Sequence, residues 1–306
     1  MDAIVLAGGS PQSEEPLYTY SKGHPKALID VAGKPMVQWV LDALGDAKNV
    51  DNVIVVGLTS KSGLHCKKPL HYLSNQGKMV SNITSGVEKS LELNHKNRYV
   101  LLVSSDIPAV RANMIDWLIQ KCMETQDDVY YGVAPREVMD KRYPNSKRTF
   151  LHLKDMEVCQ ADMHIMDVRM VNQDPDTWET LIERRKNPVS LAAAIGPVTA
   201  FLVQTRQATL SDLVARVSER KGIKGRAIVW PYAEPCMDVD KPNQLEMMRA
   251  DLARSSRKSK PAPRKKAKAS NKPKPRPATK RKPARRANAR PVRKVVGKSR
   301  RKTRKK

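Results

Sequence analysis

Val5-Leu6-Ala7-Gly8-Gly9, followed seventeen residues later by Lys26-Ala27-Leu28, is the stretch from which the fold is read. Ala3-Ile4-Val5-Leu6 is a short, wholly apolar run of the kind that lies in the middle of a parallel sheet with both faces covered, and it stops at paired glycines. Without a Cβ, Gly8 and Gly9 have access to backbone angles closed to other residues and can bring bare N–H groups against phosphate oxygens. Lys26 adds a mobile positive charge. Strand-to-loop turns also use glycine for backbone reasons alone, so the pair gains weight only from what accompanies it.

Outward from this run, apolar strands alternate with helical patterns. Strands are expected at 3–7, at Asn52–Val56, near 70–73 and at Tyr99–Val103, with helices at 36–45 and about 79–93. This βαβ rhythm predicts an α/β domain with a doubly wound, mostly parallel sheet, whose ligands bind beyond the carboxyl ends of the strands. Met79, Ile83, Val87 and Leu91 recur at i, i+4 and form a core-facing stripe. Farther on, the pattern predicts a helix at about 111–123, strands at Val129–Val133, Thr149–Leu153 and Met163–Val168, and helices near 175–186 and 208–220. A strand at Ala227–Trp230 and a last helix from Asn243 to Leu252 complete it. Residues 134–236 read as a substrate-facing extension of the same domain.

Charge divides the chain in two. Lys and Arg number 57 against 31 Asp and Glu, but 26 of the basic residues lie between Arg254 and Lys306, where there is no acidic one. Residues 1–253 are therefore neutral and long enough for one domain with a substantial core. The segment 254–306 has seven prolines and no Leu, Ile or aromatic residue, a composition unable to offset its ordering entropy, and it is predicted to be disordered. Such a polycation binds nucleic acid or another polyanion by counterion release, and without aromatic residues it has no base stacking to add. No apolar run approaches the roughly 18 residues of a membrane helix. The expectation is a cytoplasmic protein with no membrane partner, drawn to the nucleoid through its tail. Cys66, Cys122, Cys159 and Cys236 are widely spaced and read as reduced thiols, and the six histidines make no metal-ligating pattern.

Two acidic segments stand where chemistry is expected. Ser104-Ser105-Asp106-Ile107-Pro108 directly follows the strand at 99–103, which places Asp106 at the carboxyl edge of the sheet, facing Gly8 and Gly9. Asp238-Val239-Asp240-Lys241-Pro242 precedes the last helix, and alternation along an extended chain places Asp238 and Asp240 on one side. Carboxylates from distant segments, together with substrate phosphates and water, are what magnesium usually asks of a protein. The alternative for each is a local cap: Asp106 on the next turn, Asp238 or Asp240 on the helix after Pro242.

Taken in order, Leu6-Ala7-Gly8-Gly9, the run Lys26-Ala27-Leu28-Ile29-Asp30-Val31-Ala32-Gly33-Lys34-Pro35-Met36, Ser105-Asp106-Ile107-Pro108 and Asp238-Val239-Asp240-Lys241-Pro242 resemble the motifs of a nucleotidyltransferase family. That family is the one related to molybdenum cofactor guanylyltransferase and the sugar-phosphate nucleotidylyltransferases, and the resemblance spans about residues 1–250. It implies a Rossmann-like (GT-A-like) sheet and magnesium-dependent transfer of a nucleoside monophosphate from a triphosphate to a phosphorylated small molecule, with release of pyrophosphate. By the same resemblance Ala7, Gly8 and Gly9 bind nucleotide through backbone groups, Lys26 neutralises the transferred phosphate, and Asp106 and Asp240 hold the metal, with Asp238 a further candidate. Gly77, Ser81 and Asn82, in Gln76-Gly77-Lys78-Met79-Val80-Ser81-Asn82, occupy the base- and ribose-recognition position, although Ser and Asn at a helix start also serve as caps. Residues 10–25 lack the Arg usual in the family and carry only Lys22 as a cation beside Glu14 and Glu15. Two other readings compete: a nucleotide-sugar glycosyltransferase of similar fold using an Asp-x-Asp motif, and a nucleic-acid-binding protein whose domain has lost activity.

Overall fold

In the computed structural model, which describes residues 1–172, Glu179 and 188–259, the apolar run becomes β1 (Asp2–Leu6). The chain continues through α1 (Tyr18–Ser21), a 3-10 turn at Lys26–Leu28, a small hairpin of β2 (Asp30–Val31) and β3 (Lys34–Pro35), α2 (Met36–Asp46), β4 (Val53–Val56), β5 (Leu70–Leu73), α3 (Met79–Leu93) and β6 (Tyr99–Ser104). Then follow α4 (Ala112–Met123), β7 (Val129–Pro135), α5 (Arg136–Arg142), β8 (Leu151–His152) and β9 (Glu157–Asp167). A 3-10 turn at Val168–Asn172, α6 (Pro188–Ile195), α7 (Pro197–Gln204), α8 (Leu210–Lys221), β10 (Gly225–Val229), a 3-10 turn at Glu234–Cys236 and α9 (Pro242–Ser259) complete the described chain.

The strand order is β10-β7-β9-β6-β1-β4-β5, with β8 paired to β9. β1 is hydrogen-bonded in parallel to β4 on one side and β6 on the other, while β9 runs antiparallel to both β6 and β7. β1 is apolar at consecutive positions because both of its faces are covered. Ala3 and Val5 join the core that receives Val37, Val40 and Leu41 of α2 and Met114 and Leu118 of α4, whereas Ile4 joins Ile83 and Val87 of α3. Each such fully buried aliphatic side chain contributes about 1.5–3 kcal/mol.

Several elements depart from the sequence reading. β9 starts at Glu157, well before the expected Met163, and so extends to the rim of the sheet. Met79 lies outside the core stripe: as the first residue of α3 it projects beyond the sheet and is exposed, whereas Ile83 and Val87 are buried and Leu91 packs at the margin. α9 continues to Ser259, past the expected end at Leu252, its inner face held by buried Leu245, Met248 and Leu252. Apart from Glu179, which is helical, the helix expected at 175–186 lies outside the described residues, as do residues 260–306 of the tail. No helix among the described residues is long and apolar enough to cross a membrane. The four cysteines are free, three of them buried.

Candidate active site

The carboxyl ends of β1, β4 and β6 meet at one rim. There Gly57, at φ +102°, sits so close to Gly8 that a Cβ on it would lie 2.2 Å from the Gly8 Cα. A Cβ on Gly8 would in turn lie 2.9 Å from Asn75 Cγ. Neither Gly8 nor Gly9 has a positive φ, so the expected special backbone angles are not adopted; glycine is required at 8 by crowding, and nothing lies within 4 Å of a Cβ built on Gly9. Ala7 is buried, its N–H bonded to the Val56 carbonyl at 2.8 Å. The loop that leaves Gly9 returns to it, because Lys26 N–H donates to the Gly9 carbonyl at 2.9 Å. Within that loop Tyr18 and Tyr20 are exposed, and Lys22 ends α1 in the left-handed conformation at φ 51°.

Lys26 Nζ lies 2.6 Å from Asp106 Oδ2 and 2.5 Å from Asp240 Oδ1, so these two carboxylate oxygens are no more than about 5 Å apart. Burial alone would lower the Lys26 ammonium, but the two carboxylates outweigh it and raise its pKa above the ordinary lysine value. Ser104 Oγ donates to Asp106 Oδ1 at 2.5 Å, and Val239 N–H donates to the Asp106 carbonyl at 3.0 Å. At the start of α9, Gln244 Oε1 accepts from the backbone N–H groups of Asp240 and Lys241, each at 2.9 Å. Just upstream, buried Glu234 is held by Arg111 at 2.9 Å and Arg142 at 3.1 Å, which anchors the 3-10 turn from which 237–241 departs.

Asp238 takes a different partner. Its carboxylate pairs with Arg148 Nη1, whereas that of Asp240 pairs with Lys26. The sequence reading overlooked Arg148, and it also overlooked Asp162, which lies one residue before the Met163 that pairs with Val103. Asp162 is half-buried, and its pKa is pushed up to about 7, by burial first and then by the negative charges of Asp106 and Asp240, with Arg148 and Lys26 opposing. Polar residues at 160, 162 and 164 between apolar ones were the available sign of a strand with one face turned to a site.

On the β4 side, Asn82 is committed to the loop before α3. Its Oδ1 accepts from Gln76 N–H at 2.7 Å, its Nδ2 donates to Asn75 Oδ1 at 3.0 Å, and Asn75 Nδ2 donates to the Gly8 carbonyl at 3.1 Å. These bonds form a relay that ties α3 to the glycine turn. Gly77 stands in that loop at φ +85°, with its N–H on Asn75 Oδ1 at 3.0 Å, and Ser81 is half-buried at the start of α3.

Among the described residues no group of three or more His, Cys, Asp or Glu side chains is arranged to hold a metal ion. Asp106 and Asp240 nevertheless suit a divalent cation in kind: they come from distant segments and already share one ammonium, and an ion that binds oxygen at about 2.1 Å would need to hold their oxygens within roughly 4 Å of each other. Four carboxylates at this rim, those of Asp106, Asp162, Asp238 and Asp240, face two cations, Lys26 and Arg148.

Residues 3–221 match the family described as the MobA-like NTP transferase domain. A hypothetical transferase from Thermus thermophilus superposes with a TM-score of 0.67 at 28% identity, covering 80% of this chain and 98% of that one. A CMP:2-keto-3-deoxy-manno-octonic acid synthetase, solved in complex with CTP, superposes with a TM-score of 0.53 over 83% of this chain and 98% of its own, at 15% identity, which speaks for the fold alone. A probable molybdenum cofactor guanylyltransferase from Thermococcus sibiricus is 24% identical over 125 residues, 41% of this chain, and the chain spans 57% of that relative's length.

Proposed function

The chain belongs to the MobA-like NTP transferase domain family, and on that premise we propose that it is a magnesium-dependent nucleotidyltransferase that moves a nucleoside monophosphate from a triphosphate to a phosphorylated small molecule. The observation that carries this reading is Lys26 held between Asp106 and Asp240 beside the Gly8 turn. In the transfer an oxygen of the acceptor forms a bond to the α-phosphorus as the bond from that phosphorus to the bridging oxygen breaks, and pyrophosphate leaves with the bridging oxygen's electrons. Two anions must be brought together, so the requirement is charge neutralisation and alignment, with no side-chain nucleophile.

Each residue has a part in this. The Gly8–Gly9 turn, kept free of side chains by the approach of Gly57 and Asn75, offers backbone N–H groups to the triphosphate. Lys26, charged throughout the physiological range, meets the α-phosphate and neutralises its growing charge. Asp106 and Asp240 would hold the magnesium, which supplies Lewis-acid neutralisation of the phosphate oxygens. The carboxylates that converge on Lys26 from Asp106 and Asp240 favour a divalent ion there. Gly77 and Ser81 remain at the base- and ribose-facing end, with Asn75 and Asn82 setting the shape of that loop.

The deciding experiment is pyrophosphate release with magnesium and each of the four triphosphates, across a panel of sugar phosphates and phosphorylated cofactor precursors, with Lys26→Ala and Asp106→Asn as controls. Unchanged turnover in both variants would remove this site. Release of UDP from a nucleotide sugar would favour the glycosyltransferase reading, which the diversion of Asp238 to Arg148 counts against.

A second reading concerns the tail and rests on its sequence. We infer that residues 254–306, carrying 26 basic and no acidic residue, bind nucleic acid or another polyanion beside a neutral body. Because α9 runs to Ser259, the variant for the test ends there. Retention on DNA at low salt is expected to disappear with residues 260–306 removed, and equal retention by the shortened chain would overturn it.

A further inference from the structure

Arg148 is the second cation of the rim, and nothing said so far gives it work to do in the reaction. Its side chain is only 13% exposed. It is carried by the loop between α5 and β8, in which Asn145 and Lys147 both hold positive φ, 72° and 53°, on either side of buried Ser146. Left-handed backbone at a lysine is unfavourable and persists only where surrounding contacts impose it. Here its outcome is to turn Arg148 inward. Nη1 faces Asp238, Nη2 donates to the Gln160 carbonyl at 3.3 Å, and Nε is buried with no hydrogen-bond partner among the described residues. Asp238 Oδ1 stands directly against Nη1, and the guanidinium also reaches the Cys159 thiol, so Nε is the nitrogen of the fork left without a partner.

Position gives this cation its meaning. In the order β9-β6-β1, Asp106 at the end of β6 stands between the glycine turn of β1 and Asp162 of β9. With the triphosphate on the glycine turn of β1, the β9 side of Asp106 is taken as the acceptor's side, its oxygen lying across the α-phosphorus from the leaving pyrophosphate. That side presents Asp162 and Asp238, two carboxylates hostile to an anionic acceptor, and Arg148 is the cation set among them.

We propose that Arg148 is the acceptor's anion contact: its guanidinium, turned toward the β9 side of the rim by a strained loop and with Nε unpartnered, receives a phosphate monoester of the acceptor. This rests on the transfer reading above. Arginine suits the task because its planar fork pairs with a phosphate bidentately and stays charged in a buried setting.

The test uses the full chain with magnesium, the triphosphate it binds best, and inorganic phosphate as the probe, titrated calorimetrically and repeated without nucleotide. Arg148→Gln is expected to weaken phosphate binding at least tenfold and to change triphosphate affinity less than twofold, with Arg148→Lys intermediate. Acetate in place of phosphate is expected to bind at least tenfold more weakly; equal binding would overturn the phosphate assignment. Unchanged phosphate affinity in both variants would overturn the proposal, as would parallel loss of triphosphate and phosphate in the folded Arg148→Lys protein, which would mean that Arg148 acts through Asp238 and Asp240. A wild-type chain that binds phosphate but no triphosphate would sink the transfer reading and leave the anion site standing.

Discussion

The backbone N–H of Val239 donates to the carbonyl oxygen of Asp106 at 3.0 Å, and this one bond brings together segments that lie in separate halves of the sequence. It fixes the end of β6 against the chain that enters α9, and with them the two carboxylates that flank Lys26.

Lys26→Ala leaves those carboxylates facing each other without a cation. Pyrophosphate release is expected to fall by about 10²–10³, the usual effect of losing one pre-placed contact to developing charge. A stopped assay of wild type and variant at saturating magnesium checks this, and a wild-type rate in the variant would remove Lys26 from the chemistry.

Asp106→Asn and Asp240→Asn are each expected to raise the magnesium concentration for half-maximal activity by more than the roughly 10–100-fold that follows loss of a supporting contact. Asp238→Asn, whose carboxylate faces Arg148, is expected to raise it less than either. Magnesium titrations of the three variants distinguish the two aspartates of the Asp-x-Asp segment; a larger effect at Asp238 would reverse the assignment.

Gly57→Ala places a methyl group 2.2 Å from the Gly8 Cα in a left-handed backbone. The expected result is a loss of about 1–3 kcal/mol in stability from overpacking, with weaker triphosphate binding as the turn is displaced. Gly9→Ala, which has open space and no positive φ, is expected to stay within about 0.5 kcal/mol of wild type. Urea denaturation of both variants measures the contrast.

Asp167 gives the chain a defined acid sensitivity. It is buried at the end of β9, where it accepts from Arg98 Nε at 3.1 Å and from Arg169 N–H, Nε and Nη2 at 2.9, 2.9 and 2.8 Å. Burial raises its pKa, but these donors together outweigh that and leave it below the ordinary carboxylate value. A carboxylate with a lowered folded pKa stabilises the fold above its unfolded value of about 3.9, and that contribution is lost as pH falls through the folded pKa. Asp167→Asn is therefore expected to cost about 1–3 kcal/mol at pH 7 and progressively less below about pH 4. A stability difference that is constant with pH would contradict this account.

The amino-terminal half was legible because each of its strands is short, apolar and flanked by a helix of clear period; the expected bounds of α3, 79–93, are those observed. Asp106 could be placed at the rim for the same reason, since it directly follows a buried strand. Legibility failed where a residue's role is set by a partner distant in sequence. Gly57 looks like an ordinary turn glycine until Gly8 is laid against it, and Asn75 looks like loop until Asn82 and the Gly8 carbonyl take up its amide. Arg148 lies in a loop whose conformation depends on two left-handed residues that no local pattern announces. Asp162 escaped because the alternation that begins at Glu157 mixes polar with apolar residues and does not stand out as a buried run.

One reversed strand widens what this sheet can accomplish. In an all-parallel sheet every rim residue follows a strand, on a connection that must then cross over to the next one. β9 arrives at the same rim by its beginning, so Gln160, paired with Val133 of β7, and Asp162, in the irregular stretch of that pairing and one residue before the Met163 paired with Val103, belong to a strand of the sheet itself. On the proposed reading the second substrate's side of the cleft is therefore built on a strand, and the loop bearing Arg148 is the element beside it that can change to suit a new small molecule while the floor beneath stays constant.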